Sequence, residues 1–226
     1  MSKNHANDSN SSKLLISYLT LRKSVGVLGI ALPFVLIIGS YFFSRCEQVQ
    51  PSISHYYYTV MGTYFTGTLC AVGLFLFSYK GYTKMDNITA NLASLFALLV
   101  AFFPTDAYNG THCAFVVNNR EGSVNPIHFT AAALLFGCFA FFCLYLFTQT
   151  KDKSTMTPRK KARNRVYITC GIIIIFCIAA IALISFINSL ENMLADYKPV
   201  LVLETIALIA FGTSWITKGE VILKDK

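Results

Sequence analysis

Apolar residues along this chain come in long blocks separated by short polar segments. A helix needs about 20 mostly apolar residues to cross a hydrocarbon core of about 30 Å. The strict alternation of apolar and polar residues that is typical of a transmembrane β-strand is absent. The pattern therefore predicts an all-α membrane protein, a bundle of six transmembrane helices with spans at 24–43, 56–79, 88–103, 127–147, 166–186 and 199–216.

The segments between these spans are too short to bury a hydrophobic core of their own. We therefore predict one transmembrane domain over 24–217, with a polar cytoplasmic tail over 1–23, of which residues 1–12 are expected to be disordered, and a short cytoplasmic tail over 218–226. The first span is expected to be an uncleaved anchor, because no small-residue cleavage site follows it.

Lysine and arginine lie almost entirely on one side of the predicted spans. Of the 19 basic residues, only Arg45, Arg120 and Lys198 fall on the other side. The positive-inside rule therefore places both termini in the cytoplasm of a multi-pass protein of the cell inner (plasma) membrane. The composition agrees, since 13% of the residues are charged, against about 25% in soluble domains.

Many of the basic residues lie in one inner loop, which begins near Lys151 and ends at Arg165. Membrane lipids are the predicted partners, and this loop is expected to contact anionic head groups. Nucleic acid is not an expected partner, because no folded domain presents the charge. The sequence identifies no protein partner.

Five of the seven cysteines fall inside predicted spans, whereas Cys46 and Cys113 fall in loops that both face outside. An oxidising compartment permits a disulfide between these two. The alternative is a pair of unrelated free thiols.

Glu204 is the only acidic residue within a predicted span, about five residues past the outer edge, or roughly 8 Å deep at about 1.5 Å per residue. A carboxylate at that depth faces the bundle interior, pairs with a partner or takes up a proton. His128 enters the fourth span from the same side and is the expected partner. Either the two form a ligand site, or a single hydrogen bond holds two helices together.

The stretch SISHYYYT at 52–59 brings further polar and aromatic residues to the same outer side. Tyr56 is expected to anchor the chain at the membrane interface, where tyrosine is enriched. Ser52, Ser54, Tyr57 and Tyr58 are expected to form the rim of a pocket, with His128 and Glu204 as its polar floor.

A metal site is a second possibility at the outer side. His55, His112, His128 and Asp106 lie there, and histidine with carboxylate suits zinc when three or four ligands converge. No HxxH, HxxxH or HExxH spacing is present, so each ligand has to come from a separate element. We predict no cofactor and retain zinc only as an alternative.

Several motifs appear in a characteristic order, from SISHYYYT and Phe75-Leu-Phe to Phe103-Pro104, His128-Phe-Thr and a C-terminal SWITKGE. In this order the chain resembles uncharacterised bacterial six-span membrane proteins of unknown function, which are loosely similar to the DRAM/Sfk-type membrane proteins. The resemblance implies a plain membrane protein with no assigned reaction. His55 stands where that pattern has a small residue, and His112 lies outside it. The residues of this chain that fall on the pattern are Ser52, Ser54, Tyr57, Tyr58, Pro104, His128, Glu204 and Lys218.

These observations favour a membrane protein that binds a lipid or small polar ligand in an outward-facing pocket. The alternatives are a metal-dependent membrane lipid hydrolase and a structural or scaffold subunit. No catalytic residue is assigned; if a reaction is catalysed, the candidates are His128, Glu204 and Asp106.

Overall fold

The structure is a computed structural model that describes residues 2–106, 113–114, 124–150 and 156–220. The described residues confirm the all-α prediction, since they contain helices and no strand. A 3₁₀ turn (Ser54–Tyr58) precedes α2, a π-helical turn (Phe142–Leu146) extends α4, and a second 3₁₀ turn (Ala195–Tyr197) precedes α7. The α-helices are α1 (Ser2–Ser44), α2 (Gly62–Ser78), α3 (Lys84–Phe102), α4 (Val124–Phe141), α5 (Pro158–Phe186), α6 (Asn188–Leu194) and α7 (Pro199–Lys218).

The six long helices pack as a closed ring. Each of α1 to α4 contacts the next helix along the chain, and α7 closes the ring by packing against both α5 and α1. Following the charge pattern, we name the end that carries the turn Ser54–Tyr58 the outer end. The opposite end, which carries Arg22 and Lys218, is the inner end.

The contact between α1 and α7 depends on two glycines that face each other. A Cβ atom on Gly26 would lie 2.7 Å from the carbonyl oxygen of Gly212, and a Cβ atom on Gly212 would come even closer to the carbonyl oxygen of Gly26. Small residues let helix backbones approach closely in this way. Any larger side chain at either position has to push the two helices apart.

Five of the helices are long and apolar enough to cross a membrane, and α2 is a shorter apolar helix of 17 residues. Large apolar side chains also cover the outside of the ring: Leu74, Leu95, Ile172 and Phe176 are each more than half exposed. Extended exposed apolar surface of this kind marks a lipid or protein interface.

Two helix starts differ from the sequence-based boundaries. The second span was predicted from residue 56, but α2 begins at Gly62, because the chain first forms the 3₁₀ turn across the outer end. At the N-terminus α1 already begins at Ser2, so residues 2–12, which were expected to be disordered, are helical in the structure.

The predicted inner basic loop is also shorter than expected. Helix α5 begins at Pro158, where the hydroxyl of Thr157 accepts a hydrogen bond from the backbone N–H of Lys160 (3.1 Å). A threonine cap followed by proline at the first helical position is a favoured helix start. The basic residues from Arg159 to Arg165 therefore lie on a helix, whereas Lys151 and Lys153 lie outside the described residues.

Candidate functional site beneath the outer turn

The 3₁₀ turn Ser54–Tyr58 lies across the outer end of the ring, and α7 holds the chain just before it. The carboxylate oxygen Oε2 of Glu204 accepts a hydrogen bond from the backbone N–H of Ile53 (2.6 Å). Nearby, the N–H of Leu201 donates to the carbonyl of Pro51 (3.1 Å). A carboxylate that accepts from a backbone N–H makes a charge-assisted hydrogen bond, which is stronger than a neutral one.

Helix α4 holds the same segment from another side through His128, whose side chain is 2% exposed. Its Nδ1 lies 2.7 Å from the carbonyl oxygen of Phe103, and its Nε2 lies 2.9 Å from Oγ of Ser54. A carbonyl only accepts, so we assign the proton to Nδ1, and Nε2 then accepts from the hydroxyl of Ser54. Both ring nitrogens of His128 are thereby used.

The predicted contact between Glu204 and His128 is therefore wrong in detail. The two side chains do not bind each other; they bind two consecutive residues of the chain, Ile53 and Ser54. We call these four residues the outer clamp. The prediction placed both side chains at one site. It missed that Glu204 binds the backbone N–H of Ile53, whereas His128 binds the hydroxyl of Ser54.

A cavity of about 60 Å³ lies under the outer clamp, inside the ring. Helices α1 to α4 and α7 contribute to its wall, which is apolar apart from Ser54, Thr68 and Glu204. This volume has room for a few water molecules or a short piece of hydrocarbon chain. The cavity thus combines an apolar interior with a carboxylate and a hydroxyl at its outer end.

The other predicted rim residues do not line the cavity. Tyr58 is buried and donates its hydroxyl to the carbonyl of Thr105, while the ring of Tyr57 packs edge-on against that of Tyr58 at 5.2 Å. Tyr56, the expected interface anchor, is 1% exposed and therefore faces protein, which corrects that expectation. Its hydroxyl accepts a long hydrogen bond from the N–H of Gln50 (3.4 Å).

Ser52 and His55 form a separate pair beside the turn, with 2.6 Å between Oγ of Ser52 and Nδ1 of His55. Burial lowers the pKa of His55 to about 4, and the nearby His128 and Lys198 add to that shift. His55 is consequently neutral at physiological pH. It is part of the turn and does not line the cavity.

The residues expected to bind zinc do not converge in the part of the chain that the structure describes. His55 and His128 contact serines and a carbonyl, and Asp106 is exposed at the end of α3. His112 lies outside the described residues. Among the described residues, no group of three His, Cys, Asp or Glu side chains is arranged to hold a metal ion.

Cys46 and Cys113 form a disulfide in the structure, with their Cα atoms 5.9 Å apart. It links the chain just after α1 to the connection between α3 and α4. Beside Cys46 lies a second hollow of about 260 Å³, between α1 and residues 46–49, with Tyr56 in its wall. Its acidic residue, Glu47, is exposed, so this hollow lacks the buried carboxylate that distinguishes the cavity under the clamp.

The fold and the outer clamp define a helical-bundle protein in which a carboxylate and a histidine fix one surface turn over a small internal cavity. No protein-family model, no curated protein and no solved structure matches the chain. The resemblance to DRAM/Sfk-type membrane proteins therefore stays a sequence-based prediction.

Proposed function

We propose that the protein crosses the cell inner (plasma) membrane six times, with both termini in the cytoplasm. The five long apolar helices and the exposed apolar side chains around the ring support this placement. Helix α2, with 17 residues, is long enough to reach across most of a hydrocarbon core at about 1.5 Å per residue. Lys161 and Arg165, both exposed on the first turns of α5, are positioned to contact anionic lipid head groups.

We further propose that this membrane domain binds a lipid or a small polar ligand in the cavity under the outer clamp. The observation that carries this proposal is the carboxylate of Glu204 at the outer end of a mostly apolar cavity. Oε2 is used by Ile53, and the described residues provide no hydrogen-bond donor to the second oxygen. That oxygen is available to a ligand that donates a hydrogen bond.

The wall of the cavity defines which ligands fit. An apolar group or chain end is favoured in the interior, and a hydrogen-bond donor is favoured next to Glu204. The volume accepts only part of a lipid, so we expect the 3₁₀ turn to move outward when a larger molecule binds. The outer clamp sets the free-energy cost of that movement, because its hydrogen bonds hold the turn in place.

A structural or scaffold role is the second candidate, and one observation favours it. His128 uses both nitrogens inside the protein, and Glu204 uses one oxygen for a backbone N–H. In that case the polar residues serve only to fix the turn on the helix ring, and no ligand is bound.

Replacing Glu204 with glutamine separates these two roles. The Glu204→Gln side chain keeps its size and a carbonyl oxygen for the N–H of Ile53, so we expect folding and insertion to persist. The charge is lost, so the affinity for a ligand held by the carboxylate is expected to fall at least tenfold, which corresponds to about 1.4 kcal/mol of binding free energy. The amount of ligand retained by the purified protein is expected to fall accordingly. Lipid extraction and mass spectrometry of the purified protein, normalised to protein amount, measure the retained ligand.

The matched control is Asp196→Asn, which removes the same charge from an exposed position at the outer end. It is expected to retain the ligand at the wild-type level. If Glu204→Gln retains the same molecules in the same amounts as this control, the carboxylate does not bind a ligand and the scaffold role is preferred.

A further inference from the structure

The inner end of the ring contains a buried cation that the outer site does not use. Arg22 on α1 is 3% exposed, and its guanidinium carbon lies 4.2 Å from the ring centre of Tyr18 and 5.6 Å from that of Tyr79. Its Nη1 donates to the carbonyl of Lys218 (3.3 Å). Arginine is seldom buried to this extent unless it is paired with acceptors, so its remaining donors require an explanation.

Four buried donor atoms in this region have no hydrogen-bond partner among the described residues. They are Nε and Nη2 of Arg22, the hydroxyl of Tyr79 and Nε1 of Trp215. The ring centres of Tyr79 and Trp215 lie 5.2 Å apart, and the guanidinium carbon of Arg22 lies 5.6 Å from the ring centre of Tyr79, so the three side chains are neighbours. We name Arg22, Tyr79, Trp215 and Lys218 the inner donor cluster. Arginine and tryptophan side chains donate only, and these four atoms have no acceptor among the described residues.

The cluster also carries more positive than negative charge. Nζ of Lys218 lies 5.2 Å from the ring of Phe147, which is itself 5.4 Å from the ring of Trp215. One acidic residue, Asp86, is buried nearby on α3, but its Oδ2 accepts from the N–H and the hydroxyl of Thr83 at the start of that helix. The carboxylate thus caps α3 and supplies no hydrogen bond to the four unpaired donors.

We propose that the inner donor cluster binds a phosphate group. The four unpaired donors lack acceptor oxygens, and the two cations lack a negative charge. A phosphate group supplies both. The planar guanidinium fork of arginine matches phosphate in two-point hydrogen bonding, and lysine adds a point charge.

The position of the cluster along the helices favours phosphate over other anions. Arg22 lies near the start of the apolar segment Tyr18–Ser44, and Lys218 is the last residue of the segment Ala195–Lys218. These are the two ends at which a membrane-crossing helix meets the lipid head groups, where tryptophan and tyrosine are also enriched. Every phospholipid carries its phosphate at this level of the membrane. The cluster therefore lies where a phosphate group is available.

The exposed edge of the cluster lies between α7 and the connection from α2 to α3. Nζ of the partly exposed Lys218 is 5.4 Å from the ring of Tyr82, which is 81% exposed. The hydroxyl of Tyr18 donates to the carbonyl of Lys80 and thereby links this connection to α1. We expect a lipid head group to approach this edge from the membrane surface and a free phosphate to approach the same edge from the cytoplasm.

Trp215 provides a direct readout, because it is the only tryptophan in the chain. We expect its fluorescence to change saturably when dihexanoyl phosphatidic acid is titrated into the full-length protein in a maltoside detergent. Dihexanoylglycerol, which lacks the phosphate, is expected to give no saturable change. A parallel titration with inorganic phosphate separates the sources: saturation with phosphatidic acid alone assigns a lipid phosphate, and saturation with both assigns the phosphate group irrespective of the lipid.

Arg22→Gln is expected to weaken phosphatidic acid binding at least about tenfold, as for loss of one member of a buried charge pair. Arg22→Lys keeps the charge but loses the fork, and it is also expected to bind more weakly than wild type. The control Arg45→Gln removes an exposed arginine charge at the outer end and is expected to bind as wild type does. No saturable change in the wild-type protein, an equal response to dihexanoylglycerol, or equal affinities of Arg22→Gln and Arg45→Gln would each overturn the proposal.

Discussion

Replacing His128 with alanine is expected to lower the free energy of unfolding by about 4 kcal/mol, a loss typical of buried sites that lose both volume and hydrogen bonds. The substitution removes a buried ring and leaves the carbonyl of Phe103 and the hydroxyl of Ser54 without their partner. It also releases α4 from the outer turn. Denaturation of the purified protein in mixed micelles measures the loss.

Two further variants make this prediction specific to the hydrogen bonds. His128→Gln retains one donor and one acceptor and is expected to lose less stability than His128→Ala. Phe129→Ala, at the neighbouring and exposed position, removes a ring that packs edge-on against that of His128 but makes none of the hydrogen bonds of the clamp, and it is expected to cost little. A loss below about 1 kcal/mol for His128→Ala, the size of an ordinary surface substitution, would show that the clamp does not hold the turn.

Loss of the disulfide between Cys46 and Cys113 is expected to have an effect of similar size. The two cysteines are 67 residues apart, and closing a loop of that length stabilises the folded state by about 4 kcal/mol in the chain-entropy account. The bond also fixes the end of α1 next to the connection that follows α3. We therefore expect the double variant Cys46→Ser, Cys113→Ser to unfold at a clearly lower denaturant concentration than the oxidised wild type.

Reduction provides the internal comparison for the disulfide. A reducing agent is expected to lower the stability of the wild type to that of the double variant and to leave the double variant unchanged. The buried thiols of Cys143 and Cys170 remain in both proteins and control for other effects of the reductant. If the oxidised wild type and the double variant unfold together, the disulfide contributes nothing to the fold.

Much of the helical arrangement followed from the sequence, because long apolar blocks can only be helices in a hydrocarbon environment. The start of α2 could not be predicted from the sequence, because Tyr56 and Tyr58 are apolar enough to continue a span. In the structure they are buried in the 3₁₀ turn that precedes the helix. The start of α5 was missed because a dense run of basic residues obscured the Thr157–Pro158 helix start.

The candidate site was predicted as a set of residues but not as a geometry. Glu204 drew attention because a carboxylate is costly within an apolar segment. Its partner is the backbone N–H of Ile53, and no sequence pattern identifies a backbone group as the partner of a distant side chain. Arg22 was missed for a different reason. Its charge on the inner side is what the positive-inside rule leads one to expect, so nothing in the sequence indicated that its side chain is buried.

An experimental structure of the wild-type protein in a lipid environment, compared with one of Glu204→Gln, is the most direct measurement. We expect density in the cavity between Ser54, Thr68 and Glu204 of the wild type, with a donor atom within hydrogen-bond distance of the carboxylate. The same density is expected to be absent from Glu204→Gln, in which the outer turn keeps its position. A wild-type cavity that contains no density, or density that is equal in both proteins, would contradict the proposed binding site.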